Sequence, residues 1–207
     1  MAQTTGQSSA TRICAIVLAA GRSSRMGRAK QVEVVDGAPM VVRAVQTALA
    51  SHADDVLLVT GAYGDAVTAL AKPLQSAAGE RLQLVHNGDW ATGQASSVRA
   101  AVLALPPSCQ AALFLPTDQP FAPVALLDDL IAAWRAGALL AAPAVDGQPR
   151  GAPAIFDRRL WPELLALEGD AGARPLLQRH RTKLVTVPAA AHWLRDIDTP
   201  ADLPSTL

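Results

Sequence analysis

The chain has almost no cysteine, no surplus of either charge and no long apolar run. Cys14 and Cys109 are the only thiols among 207 residues. Two cysteines without metal-ligand spacing point to neither a disulfide framework nor a zinc site, and they fit a reducing cytoplasm. Cys14 falls inside an apolar run and reads as a small core residue. The formal net charge is zero, so nothing suggests a nucleic-acid or membrane surface. The longest apolar runs are well short of a membrane span. Met1 to Arg12 is polar and Ser/Thr-rich. It lacks the apolar centre of a signal peptide and reads as a disordered tail over residues 1–11. Two familiar phosphate loops are also missing. Five residues separate Gly21 from Gly27 and Lys30 follows three later, which is not the Walker A spacing, and there is no G-x-G-x-x-G dinucleotide fingerprint.

Half of the residues are hydrophobic, enough for the core of one domain, here expected over 12–207. Short apolar runs alternate with amphipathic ones. Ile13–Leu18, Val56–Thr60, Leu82–His86, Ala111–Leu115 and Leu139–Pro143 read as strands. Pro39–Ser51, Gly64–Leu74, Ser96–Leu105 and Pro123–Ala136 read as helices, with Pro39 and Pro123 in their first turns. Alternation of this kind predicts an α/β, three-layer, Rossmann-like, mostly parallel sheet with helices on both faces. After Pro143 the pattern loosens. Asp146 to Gly151 is turn-rich, Pro153–Phe156 and Leu184–Val187 suit strands, and Asp157–Leu167 and Ala173–Arg181 suit helices. The C-terminal part is therefore expected to be smaller and mixed. Ligands in such sheets bind beyond the carboxyl ends of the strands.

The first strand empties into Leu18-Ala19-Ala20-Gly21-Arg22-Ser23-Ser24-Arg25-Met26-Gly27-Arg28-Ala29-Lys30. A Gly- and Ser-rich loop in that position exposes backbone N–H groups to an anion, and Arg22, Arg25, Arg28 and Lys30 put positive charge at the same spot. Asp118, in Leu115-Pro116-Thr117-Asp118-Gln119-Pro120, falls just past another strand. Mg²⁺ is commonly held by one or two carboxylates plus substrate phosphates, so Asp118 is one candidate ligand. Asp196 and Asp198 share a direction if extended, and Asp198 is the better second ligand. In Asn87 to Ser97, Gln94 offers an amide donor and a carbonyl acceptor to a base edge. Ser96 and Ser97 are placed to hold a ligand or to cap a helix, and Trp90 reads as packing. Thr199 is placed to cap a last short helix, with Pro200 first and Asp202 third.

Taken together, LAAGRSSRMGRAK, Asn87…Trp90…Gly93…Ser96-Ser97, PTDQP, Gly169-Asp170…Gly172-Ala173-Arg174 and DIDTPADL resemble the molybdenum cofactor cytidylyltransferases of the MobA-like nucleotidyltransferase superfamily. Related guanylyltransferases typically read Leu-Ala-Gly-Gly and Asp-Met-Pro where this chain has Ala20 and Gln119, so the resemblance favours CTP over GTP. It implies attack by a molybdopterin phosphate on the α-phosphorus of CTP, with Mg²⁺ as cofactor and Arg25, Lys30 and Asp118 catalytic. Leu18 to Ser24, with Gln94, Ser96 and Ser97, would hold the nucleotide, and Asp118 and Asp198 the metal. Gln119, Arg150, Gly151, Asp170 and Arg174 would face the acceptor. Implied partners are CTP or another NTP, a phosphorylated acceptor, and a molybdenum hydroxylase or its maturation factor. The chain departs from the pattern at Gly151-Ala152-Pro153, where family members often read Gly-His-Pro. That departure keeps another acceptor open, such as methylerythritol phosphate or a sugar phosphate, beside a non-catalytic carrier.

Overall fold

A computed structural model describes residues 11–204; almost all of the expected tail lies outside them. The chain runs β1 (Arg12–Ala19), β2 (Val34–Val35), β3 (Ala38–Pro39), α1 (Met40–Ala50), β4 (Asp55–Thr60), α2 (Gly64–Ala78), β5 (Leu82–His86), α3 (Gln94–Ala104), β6 (Cys109–Pro116), α4 (Val124–Arg135), β7 (Leu140–Val145), β8 (Gln148–Pro149), β9 (Ala154–Asp157), α5 (Trp161–Leu165), α6 (Arg174–Arg179) and β10 (Leu184–Pro188). The main sheet has the order β10-β7-β9-β6-β1-β4-β5, with β8 on β7. The expected α/β sheet is present. β1 is parallel to both β4 and β6, and β4 to β5. The mixed character comes from the C-terminal part, as expected: β8 pairs antiparallel with β7, and β9 inserts antiparallel between β6 and β7 in the same sheet.

The two-residue period of β1 sorts its side chains into two cores. Ile13, Ala15 and Val17 pack with residues of α1, α2 and α4. Cys14 and Ile16 pack on the other face with residues of α3, α5 and α6. A central strand buried on both faces has no polar side to show, so it reads as a continuous apolar run. Both cysteines are buried and free. Among the described residues no helix is long and apolar enough to cross a membrane.

Several boundaries differ from expectation. α1 and α4 begin one residue after Pro39 and Pro123, which occupy the cap positions rather than the first turns. α2 runs through Pro73 to Ala78: an interior proline gives up its N–H bond and crowds the carbonyl four residues back, but Leu74 and Ala78 continue the apolar face onto the first core. The segment expected as one helix over 157–167 divides into a 3-10 turn, Arg158–Leu160, and the five-residue α5; Trp134 Nε1 and Arg159 both bond Asp157 at the break. The helix expected over 173–181 is α6, six residues long. The β2–β3 hairpin was not anticipated, although Asp36-Gly37 sits at its turn with both residues at positive φ, a signature of two-residue hairpins.

Candidate active site

The loop after β1 is turned so that its carbonyls face the protein. Gln31, buried, donates through Nε2 to the carbonyls of Ala19 (3.2 Å) and Gly21 (2.6 Å). Ala62 N–H donates to Ala20 O and the Tyr63 hydroxyl to Arg22 O. Ser23, at φ +56°, accepts the Lys30 N–H on its hydroxyl and donates to Gln31 Oε1. With successive carbonyls spoken for, the N–H groups of Gly21, Arg22, Ser23, Ser24 and Arg25 have no acceptor among the described residues. A run of unpaired amides on one turn is an anion cradle. Sequence reading missed Gln31, which no periodicity marks.

Three carboxylates stand next to that loop. Lys30 Nζ lies 2.7 Å from Asp118 Oδ2 and 2.8 Å from Asp198 Oδ1, and the Lys30 side chain is only 14% exposed. Arg25 reaches the other oxygen of Asp198 at 2.8 Å while 72% exposed. Burial alone would lower the Lys30 pKa; Asp118 and Asp198 more than offset it and hold the ammonium above its usual range. Asp196 is pushed up, first by burial and then by Asp118 and Asp198, against the Gln119 amide that donates to it. Alternation explains the grouping. Ile197 is fully buried with Met26, Val35 and Met40, so Asp196 and Asp198 are thrown to the opposite side. Ile197 N–H donates to Asp118 O at 2.8 Å, stitching the two acidic segments together. Asp202 accepts the N–H groups of Asp198 and Thr199 together with the Thr199 hydroxyl, the capping arrangement expected at Thr199.

A second wall comes from the β5–α3 connection. α3 opens at Gln94, with Gly93 in the cap position, so neither Ser96 nor Ser97 caps it. Both sit in its first turn, where Asn87 Nδ2 donates to both hydroxyls, and Ser96 passes its proton to Gly93 O. Gly93 is required by its surroundings. Its φ is +114°, and a Cβ there would lie 2.5 Å from the Gly169 carbonyl, where the Ala95 N–H is bound. Asp170 in turn accepts the Gln94 N–H. Thus the Gly169–Arg174 segment rests on the start of α3.

These parts enclose two adjoining cavities. The smaller, about 430 Å³, is lined by Ala20 to Arg25, Lys30, Gln94 and Ser97, with Trp90 on its wall. The larger, about 1290 Å³, is lined by Gln119, Arg150, Gly151 and Arg174. Leu18, Arg25, Gln94, Asp118, Asp170 and Asp198 line both. Of the residues singled out from sequence, three stand apart. Ala19 is in the core, Ser96 spends its hydroxyl inside the protein and lines neither cavity, and Arg28 pairs with Glu33 instead of joining the cationic group. Trp90 both packs on the second core and faces the smaller cavity. Ala152, at the family departure, lines the larger one.

Among the described residues no group of three or more His, Cys, Asp or Glu side chains is arranged to hold a metal alone. Asp118 and Asp198 nevertheless already share one cation, the Lys30 ammonium. Two carboxylates suit Mg²⁺ when phosphate oxygens and water complete its shell, so the donor set fits that ion together with a nucleotide.

The family model of the MobA-like NTP transferase domain matches residues 15–184. A curated relative, the 2-C-methyl-D-erythritol 4-phosphate cytidylyltransferase of Streptomyces coelicolor, is 33% identical over 139 residues, which is 66% of this chain and 51% of that protein. The chain thus matches about half the length of that relative. Among solved structures, Rv0371c of Mycobacterium tuberculosis H37Rv is 27% identical with a TM-score of 0.74, covering 93% of this chain and 96% of that one. A structure of Rv0371c in complex with manganese is similar to the same extent, at 25% identity, a TM-score of 0.74 and the same coverage of both chains.

Proposed function

The chain belongs to the MobA-like NTP transferase domain family, and from that premise we propose that it is a Mg²⁺-dependent nucleotidyltransferase moving CMP from CTP to the terminal phosphate of molybdopterin. An oxygen of that phosphate attacks the α-phosphorus, the bond to the β-phosphate oxygen breaks, and pyrophosphate leaves. The observation that carries the reading is the row of acceptorless amides from Gly21 to Arg25, a cradle for the β- and γ-phosphates. Leu18, Arg22, Gln94 and Ser97 hold the rest of the nucleotide. Asp118 and Asp198 would hold the divalent ion, which would supply neutralisation of phosphate charge. That Rv0371c forms a complex with manganese supports a dependence on a divalent ion. Arg25 and Lys30 neutralise charge on the departing pyrophosphate. No general base is required, because a phosphate nucleophile is already ionised, and positioning with electrostatics does the work.

Both substrates are anions, so suppressing their repulsion is the first task of the site. Asp118 and Asp198 line both cavities, which suits a pair standing between nucleotide and acceptor. Gln119, Arg150, Gly151, Asp170 and Arg174 receive the acceptor, and a molybdenum hydroxylase or its maturation factor takes the product. A second acceptor, 2-C-methyl-D-erythritol 4-phosphate, is favoured by the cytidylyltransferase of Streptomyces coelicolor.

Thermal-shift measurements with CTP, GTP, ATP and UTP in the presence of Mg²⁺ test the nucleotide. At a hundredfold excess over Kd a ligand adds about 2.7 kcal/mol, roughly 5–10 °C for a chain of this size. CTP is expected to give the largest shift. A larger shift with GTP, or none with any nucleotide, contradicts the reading. Pyrophosphate release with molybdopterin and with 2-C-methyl-D-erythritol 4-phosphate then distinguishes the acceptors.

A further inference from the structure

The arginines of this chain divide by what they touch. All but four find a carboxylate or a backbone carbonyl among the described residues, as Arg12 does with Asp55, Arg99 with Leu167 and Arg195 with Asp202. The exceptions are Arg22, Arg150, Arg174 and Arg181. Arg22 lines the smaller cavity, and the other three line the larger. Elsewhere guanidinium groups are spent on structure; at the two cavities only Arg25 is, on Asp198, and the other four have no such partner among the described residues.

Arg150 and the pair Arg174 and Arg181 come from two parts of the chain to line one cavity. Arg150 follows β8, and the stem of Arg174 passes over its neighbour Gly151, where a Cβ would stand 3.9 Å from Arg174 Cγ. Arg174, Gln178 and Arg181 are spaced four and three apart, which puts them on one side of α6 and the turn that closes it, and all three line the larger cavity. None of them lines the smaller one. The acids of the larger cavity do not neutralise them: Asp118 and Asp198 are held by Lys30, Asp196 by Gln119, and Asp170 accepts from the Gln94 N–H. All three are exposed, so water and salt weaken without abolishing the repulsion among three cations that have no counter-ion. Planar guanidinium groups answer that repulsion best by forking onto a phosphate or carboxylate. The same cavity is also lined by Phe114, Phe156, Val98 and Leu177, which suits an apolar or ring-shaped body.

We propose that Arg150, Arg174 and Arg181 bind a second anionic group of the acceptor, in the part of the larger cavity that the nucleotide does not share. The acceptor class is then a phosphate ester with an apolar or ring body and a further anionic group, which admits molybdopterin through its metal-binding dithiolate, and the three arginines are its specificity determinants. This rests on the transferase reading only in making the acceptor the owner of that anion. An acceptor whose only anionic group is the reacting phosphate, such as 2-C-methyl-D-erythritol 4-phosphate, leaves the three guanidinium groups unsatisfied and is discriminated against.

The test is calorimetric titration of the full chain with fructose 6-phosphate and fructose 1,6-bisphosphate, both with and without α,β-methylene-CTP and Mg²⁺. The bisphosphate is expected to bind at least tenfold more tightly. Arg150→Gln, Arg174→Gln and Arg181→Gln each reduce that advantage by about tenfold or to nothing, the scale of one charged hydrogen bond. Lys72→Gln, which removes the same charge from the exposed side of α2, leaves it intact. Equal affinity for the two sugars, no measurable bisphosphate binding, an advantage that survives the triple variant, or an equal loss in Lys72→Gln overturns the proposal. Failure of the CTP analogue to bind counts against the transferase reading instead, and the arginine wall is then judged from the titrations without nucleotide.

Discussion

Replacing Lys30 by alanine lowers turnover by about 10²–10³, the scale for one preorganised donor and about 2.7–4 kcal/mol of transition-state stabilisation. Two roles for this ammonium make different forecasts. In the structure it bridges Asp118 and Asp198 at 2.7 and 2.8 Å. Were that its whole task, saturating Mg²⁺ would replace it and Lys30→Ala would regain the wild-type rate. Because the proposed reaction would send negative charge onto pyrophosphate beside this loop, Lys30 is assigned instead to the phosphates once they arrive. The loss therefore persists at saturating Mg²⁺ and falls mainly on kcat, with a smaller change in the KM for CTP. Steady-state kinetics over a Mg²⁺ series reads the difference. Recovery of the rate with metal removes Lys30 from the transfer step.

Asp118→Ala is expected to abolish metal-dependent turnover, by about 10³-fold or more, since the charge stabilisation a bound ion supplies is worth several kcal/mol. The fold is expected to survive. What ties this segment to its neighbours is main chain: Ile197 N–H donates to Asp118 O, and Thr117 Oγ1 donates to Leu18 O. Lys30 also keeps Asp198 as a partner, so the substitution strands no buried cation. A melting temperature within a few degrees of wild type, beside lost activity, is the expected pair of results. A variant that still turns over CTP with Mg²⁺ ends the metal assignment.

The parts of this molecule that were legible in the sequence are those governed by short periods. β1 alternates between two apolar cores, so its run of hydrophobic residues announced a central strand, and the loop after it announced itself by composition. Asp196-Ile197-Asp198 was legible for the same reason, with a buried isoleucine directing two acids one way. What was not legible depends on contacts made far along the chain. Gln31 turns the loop by binding Ala19 and Gly21, yet nothing local distinguishes it from a surface glutamine. Ser96 and Ser97 look like caps, but Gly93 takes the cap position because the Gly169 carbonyl approaches too closely for any Cβ. Arg28 counts as charge in the loop until Glu33 claims it. The antiparallel placement of β9 between β6 and β7 follows from sheet pairing, on which a lone four-residue apolar run is silent. The Asp36-Gly37 hairpin is a different case: its signal was present and went unread.

The gathering of carboxylates, apolar side chains and three arginines around the larger cavity was beyond the sequence as well. Arg150 and Arg174 stood out there as members of separate motifs; Arg181 did not, and only the packing of α6 against the Gly151 turn puts all three around one space.

The most direct trial is a crystal structure of the chain with CTP and Mn²⁺, the ion located by its anomalous signal. The account predicts manganese between Asp118 and Asp198, β- and γ-phosphate oxygens within hydrogen-bond distance of the Gly21 to Arg25 amides, and Lys30 Nζ drawn off the carboxylates onto phosphate. A triphosphate bound elsewhere, with those amides left to solvent and Lys30 still bridging the two acids, would contradict it.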